Sequence, residues 1–322
     1  MNSAANYVQE INQLSDNYYN KDLINTIIEH SIESLGPNLS IYEALLRFYE
    51  RYEDWNNIIT TIEQMADYGL DVDSFTYALL IKAYLYLGMV DKGWATIDAL
   101  EQINLDVIKR ISQRRKRNPK FSVTSYDLSP LYTPMIYHYL SLKDFEAVNK
   151  ILTEMKNKNV LLEIPVYQTL MRDYLLYNQM DDATKLFFDM LPYGNEIEAN
   201  TYLRYVHALL DRGEINQAIN AINLLRERQV VLGNRIYAKL ITKLMELGQI
   251  EISENVYYMA QDEDHLNYRI FEAMIEGYLS NHLIDKANQF VKQLHKQDMI
   301  DHAQMIYYQT YISSYSNGSN SF

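Results

Sequence analysis

The chain has 322 residues, a formal net charge of −13, 48% hydrophobic residues and no cysteine. The absence of cysteine excludes disulfides, thiolate zinc sites and thiol catalysis, and 29 Lys+Arg against 42 Asp+Glu exclude a uniformly basic nucleic-acid glove. With only 10 glycines and 6 prolines, a Gly/Pro-rich all-β, collagenous or low-complexity chain is equally excluded.

The first residues, 1–22, carry Glu10, Asp16 and Asp22 against the single Lys21. This is neither an Arg-rich transit peptide nor an apolar secretory signal, so the protein is expected to stay where it is made or to be a mature or trimmed chain. The most apolar stretch, residues 77–90, is broken by Lys82 and is too short to cross a bilayer; no membrane insertion is expected.

An internal period organises the rest. Tyr42, Tyr77, Tyr132, Tyr167, Tyr202 and Tyr237 recur at 35-residue spacing, with Phe271 following after 34; the single gap of 55 is one period plus an insertion of 20. Large apolar residues follow each leading aromatic three and four positions on, as in Leu80/Ile81, Leu170/Met171 and Leu240/Ile241. A further tyrosine often stands seven positions on, at Tyr49, Tyr84, Tyr139, Tyr174 and Tyr278. These spacings share one helical face, so most of the 29 tyrosines are read as packing between stacked helices. Gly88, Gly213 and Gly248 mark a turn, and a second helix follows with its own stripe, such as Ala183, Phe187 and Met190. Two short helices cannot bury both faces alone, which predicts an all-α fold, an α-solenoid of stacked helix–turn–helix repeats of about 35 residues.

In chain order the expected elements are a degenerate N-terminal repeat (1–38), two repeats (39–73 and 74–108), a basic inserted loop (109–128) and five repeats (129–163, 164–198, 199–233, 234–267, 268–302). A capping helix (303–313) then covers the last apolar face, and the polar tail 314–322 reads as disordered.

The units 74–108 (SFTYALLIKAYLYLGMVDKGWATIDALEQINLDVI) and 164–198 (IPVYQTLMRDYLLYNQMDDATKLFFDMLPYGNEIE) resemble those of the pentatricopeptide repeat family. The shared pattern is Tyr-x-x-Leu-Ile, a mid-unit Gly-x-x-Asp, then Ala and Met on the second helix. Tetratricopeptide repeats place a small residue directly after the first helix's leucine; here that place holds Leu46, Ile81, Ile136, Met171, Val206, Ile241 and Ile275. The resemblance implies a pentatricopeptide-like superhelix that binds single-stranded RNA, often in mitochondria, one base per repeat.

In that family the residue after the leading tyrosine and the last residue of the unit read the base. The corresponding pairs here are Glu43/Asp73, Ala78/Ile108, Thr133/Glu163, Gln168/Glu198, Leu203/Gly233, Ala238/Asn267 and Glu272/His302. None is a standard pair; Thr133/Glu163 and Ala238/Asn267 are partial matches, which implies weak sequence selectivity. One turn beyond the readers stand Arg47, Lys82, Tyr137, Arg172, His207, Thr242 and Glu276. The inner surface is therefore expected to be mildly basic in the N-terminal half and neutral to acidic afterwards.

The insertion opens with KRISQRRKRNPK, whose Lys109, Arg110, Arg114, Arg115, Lys116, Arg117 and Lys120 stand without any acid. It is either a solvated loop, an arm that contacts RNA phosphates without base preference, or an import signal built on RRKR. No HExxH, phosphate-binding Gly-rich loop or Gly-x-Ser-x-Gly elbow occurs, and the acid pairs Asp181/Asp182 and Asp71/Asp73 fall at expected helix starts. No enzyme, metal, cofactor or small-molecule substrate is expected. Two functions stay open: a non-catalytic organellar RNA factor in processing, stability or translation, located in the mitochondrion by resemblance or else in the cytoplasm; or a protein-binding solenoid, such as a ribonucleoprotein or ribosome subunit, gripping a basic partner with an acidic concave face.

Overall fold

The structure is a computed structural model that describes residues 3–115, 127–230 and 232–318. These residues form seventeen α-helices and two short 3-10 helices, with no strand among them. The chain falls into two compact units, Met1–Val166 and Tyr167–Phe322. None of the described helices is long and apolar enough to cross a membrane.

The first unit stacks α1 (Ala4–Leu14) with α2 (Lys21–Leu35), α3 (Leu39–Arg51) with α4 (Trp55–Asp67), α5 (Ser74–Tyr86) with α6 (Val90–Arg115), and α7 (Ser129–Ser141) with α8 (Phe145–Asn157). The second holds most of α9 (Ile164–Leu176), then α10 (Met180–Met190), α11 (Ala199–Asp211), α12 (Ile215–Glu227), α13 (Asn234–Glu246), α14 (Ile250–Asp262), α15 (Tyr268–Ser280), α16 (Ile284–Lys296) and α17 (His302–Gly318). The leading helix of one pair packs on the leading helix of another: α1 on α3 and α5 on α7 in the first unit, α11 on α13 and α13 on α15 in the second.

From the second pair onward each is closed by the same backbone device. The fifteenth residue of each of the seven units from 39 to 302 takes a positive φ: Glu53, Gly88, Lys143, Asn178, Gly213, Gly248 and His282, all between 55° and 75°. At Gly88 the amide reaches Leu85 O at 3.0 Å, and the next amide, Met89 N, reaches back to Tyr84 O at 2.8 Å, so the last carbonyls of α5 are satisfied without a further turn. The residue that follows often opens the second helix; Asp54 and Asp144 accept from the amides of Asn57 (3.4 Å) and Ala147 (3.0 Å).

The leading aromatics form the spine of the core. Tyr42, Tyr132, Tyr202 and Tyr237 are at most 1% exposed, and Phe271 and Tyr167 are buried with them. Three of their hydroxyls are taken up locally, Tyr132 donating to Glu101 at 2.5 Å, Tyr202 to Met190 O at 2.7 Å, and Tyr237 to Glu263, whereas the buried Tyr42 hydroxyl has no hydrogen-bond partner among the described residues. Burial pushes Tyr42 and Tyr202 up to about 12, so neither ionises near neutral pH. The seventh-position tyrosines instead tie neighbouring pairs together, Tyr49 donating to Asn25 on α2 and Tyr278 to Glu254 on α14, both at 2.8 Å. Leu46, Ile81, Ile136, Met171, Val206, Ile241 and Ile275 are all buried, which places large apolar contacts where a tetratricopeptide unit would have a small residue.

Two expected boundaries are corrected. Residues 109–115 do not begin a loop: α6 runs on to Arg115, twice the length of the 13-residue second helices α4 and α8. From Trp94 to Asn118 the sequence has neither glycine nor proline, so nothing stops the helix where the period ends. At the other end α17 continues to Gly318, so residues 314–318 are helical where a disordered tail was expected.

Candidate nucleic-acid interface

The first reader of each expected pair lies on a leading helix and the second closes the unit, and each unit of the structure offers an open groove along its leading helices. In the first unit α3, α5 and α7 line a groove of about 1000 Å³. It gathers Arg47, Lys82, Thr133 and Glu163, along with Glu43, Glu50 and Asp73. In the second unit α11, α13 and α15 line a smaller groove of about 520 Å³ that holds His207, Arg235, Ala238, Lys239, Arg269 and Glu272.

Several expected readers are engaged within the protein. Asp73 is the cap of α5, accepting from the amide of Thr76 at 2.8 Å. Asn267 caps α15 through the amide of Ile270 at 3.2 Å, and Asn38 does the same for α3 through Ser40 at 3.1 Å. At these three places the last residue of a unit is the capping residue of the next leading helix, a duty beside base reading. Thr133 and Glu163 close on each other, the Thr133 hydroxyl donating to Glu163 Oε2 at 2.6 Å. Gln168 is half-buried on α9 and Ala238 lies in the second groove without a polar atom to offer.

The cations divide differently from the expectation. In the first groove Lys82 is spent on Glu50 at 2.9 Å and lies 5.5 Å from the centre of the Trp55 ring. Arg47 is exposed and, among the described residues, has no carboxylate partner. Against these two cations stand four carboxylates, Glu43, Glu50, Asp73 and Glu163. The N-terminal groove is therefore acidic, not mildly basic. The second groove has three cations, Arg235, Lys239 and Arg269, against Glu272 and Glu276. Lys239 pairs with Asp211 at 2.6 Å, while Arg235 and Arg269 are exposed. Burial, then Lys239 and Arg235, push the His207 imidazole below its ordinary pKa, Asp211 opposing them. The basic groove lies in the C-terminal half, reversing the expected gradient.

Sequence reasoning missed Arg235, Lys239 and Arg269 because it followed only the reader places and the residues one turn beyond. Arg235 and Arg269 stand at the second position of their units, two residues before Tyr237 and Phe271, a spacing open to inspection in the sequence. Arg172, by contrast, bonds Asp173 at 2.8 Å. Of the basic run, Lys109, Arg110, Arg114 and Arg115 belong to the backbone of α6, and Lys116, Arg117 and Lys120 lie outside the described residues. Among the described residues no group of three or more acidic or histidine side chains could hold a metal.

No family model matches the chain. Two mitochondrial pentatricopeptide repeat-containing proteins of Arabidopsis thaliana are similar to it, one 20% identical over 270 residues (77% of this chain, 44% of the relative), the other 18% identical over 274 (81% and 46%). A further pentatricopeptide repeat-containing protein of the same plant is 22% identical over 164 residues, 51% of this chain and 32% of its own. The chain thus spans less than half the length of these curated relatives. Among solved structures, maize pentatricopeptide repeat protein PPR10 aligns over 98% of this chain and 45% of its own at 16% identity and a TM-score of 0.46. The same maize protein in complex with an 18-nucleotide RNA element aligns over 92% and 41% at 14% identity and a TM-score of 0.43. The 35-residue period, its realisation as helix pairs with buried leading aromatics, and the shared naming of all three relatives point the same way: the chain is similar to pentatricopeptide repeat proteins.

Proposed function

We propose that the protein is a non-catalytic factor that binds single-stranded RNA with weak sequence selectivity and serves mitochondrial RNA processing, stability or translation. The observation that carries this reading is the second groove, where Arg235 and Arg269 project from successive leading helices at equivalent repeat positions. Cations repeated with the helix stack suit a polyanion with a regular phosphate spacing, and exposed guanidinium groups bind phosphate bidentately. Low selectivity follows from the engaged readers: Asp73 and Asn267 cap helices, and Thr133 and Glu163 satisfy each other. The mitochondrial address rests on the names of two relatives.

The test is cross-linking of RNA to the protein purified from mitochondria, alongside the Arg235→Ala/Arg269→Ala variant. Recovery of many transcripts, reduced in the variant, is expected. Recovery of no RNA above background would remove the reading.

A further inference from the structure

The first groove has the wrong charge for a phosphate chain, and its composition is that of a different kind of site. Of its four carboxylates, Glu43 has no hydrogen-bond or ion-pair partner among the described residues. Apolar side chains lie between them: Phe75 and Tyr86 are 67% and 61% exposed, and Tyr137 is exposed as well. Tyr86 is held in place by stacking on Trp55, the ring centres 4.2 Å apart and the planes within 10°. Leu46, Leu79 and Pro134 add to the apolar part of the lining. Large rings left in water inside a concave groove cost solvation free energy that an occupant would recover.

We propose that this groove is a docking site for a cationic peptide segment of a partner protein, one that places Arg or Lys among leucine or aromatic residues. Charge complementarity selects that occupant. A phosphate backbone entering the groove would meet Glu43 and Glu163 across an apolar floor, where like-charge repulsion is less screened than in water. A guanidinium in the same place would meet those carboxylates and could lie on the faces of Phe75, Tyr86 or Tyr137, as Lys82 already lies near Trp55. A volume of about 1000 Å³ is at the upper end for a small-molecule pocket and holds several side chains of an extended peptide. The two grooves then serve two partners, a polycationic peptide in the first unit and RNA in the second.

The experiment measures fluorescence anisotropy of the full chain with a labelled twelve-residue peptide of Arg, Leu and Tyr, the same peptide with Glu in place of Arg, and a twelve-nucleotide single-stranded RNA. Because the net charge of −13 attracts any cation, the controls carry equal charge changes elsewhere: Asp67→Lys with Asp98→Lys, both exposed on second helices. The Arg peptide is expected to bind and the Glu peptide not to. Glu43→Lys with Glu163→Lys should weaken the Arg peptide at least tenfold, Phe75→Ala with Tyr137→Ala several-fold, and the control pair less than twofold. Circular dichroism checks that each variant keeps its helices. Equal loss in the control and groove variants would reduce the binding to net charge and overturn the proposal. So would RNA binding that depends on Phe75 and Tyr137. Peptide binding that appears only after Arg114 and Arg115 are changed to Ser would assign the groove to the chain's own basic run and overturn the foreign partner.

Discussion

Asp54 is the residue where the N-terminal helix pair is fastened to its neighbour. It accepts from Lys21 Nζ and Tyr18 Oη, both at 2.7 Å, and from Asn57 Nδ2 at 2.8 Å. Burial alone would raise its pKa, but the hydrogen bonds from Lys21, Tyr18 and Asn57 outweigh it and hold the carboxyl at about 2. A folded pKa below the unfolded value of about 3.9 contributes stability that is complete above that value and is lost as pH falls toward 2. Urea unfolding should therefore show stability declining between about pH 4 and pH 2, and Asp54→Asn should lower stability at pH 7 while flattening that decline. An unchanged slope in the variant would show that Asp54 is not the titrating group. A second residue-level outcome concerns the left-handed turns. Glu53 occupies φ 55° and is exposed, where Gly88 stands in the equivalent place of the next unit. Replacing Glu53 by Gly should raise stability by about 0.5–1 kcal/mol, and Gly88→Ala should cost about 1 kcal/mol, both read from chemical denaturation. These turns were legible at Gly88, Gly213 and Gly248. They were not legible at Glu53, Lys143 and His282, because there the strain of a non-glycine residue is carried by the packed helices on either side.

At the scale of the element, the leading helices α13 and α15 approach closely at Gly277 and Met245. A Cβ added to Gly277 would stand 2.7 Å from Met245 Cβ, so Gly277→Ala forces the two helices apart. The expected cost is about 1–3 kcal/mol, partly recovered when Met245 is trimmed to Ala in the same chain; a neutral Gly277→Ala would contradict the contact. Helix pairs were legible because the stripes at i, i+3, i+4 and i+7 repeat with the tyrosines. The end of α6 was not: periodicity marks which face is buried, whereas helix length is decided by where a breaker stands, and the first is Pro119. The candidate site was legible only in part for a similar reason. Reader positions follow from the register and Asp73 falls at an expected helix start, where it caps locally, but the mutual bond of Thr133 and Glu163, at the two ends of one unit, arises from three-dimensional closure. Arg235 and Arg269 belong to the same register at a position the reading passed over. Removing both as Ala should reduce the log–log salt slope of RNA binding by about 1.4 if each neutralises one phosphate, with little change in stability.

On the scale of the whole molecule, a chain of net charge −13 binds RNA only if its cations are concentrated where the acids are not. Two places meet that condition: the second groove and the run from Lys109 to Lys120, seven cations without an acid. The run has no base-reading partner and would grip phosphates alone, so changing Arg114, Arg115, Lys116 and Arg117 to Ala should weaken all RNAs alike and flatten the salt slope by roughly two to three. The central claim is that the protein holds RNA by its backbone with little regard for sequence. Its most direct test is anisotropy with a panel of single-stranded RNAs of different sequence and equal length across a salt series. The account predicts affinities that agree within a few-fold, fall together as salt rises, and share one slope. A single RNA preferred by ~100-fold, or no RNA bound at low salt, would contradict it.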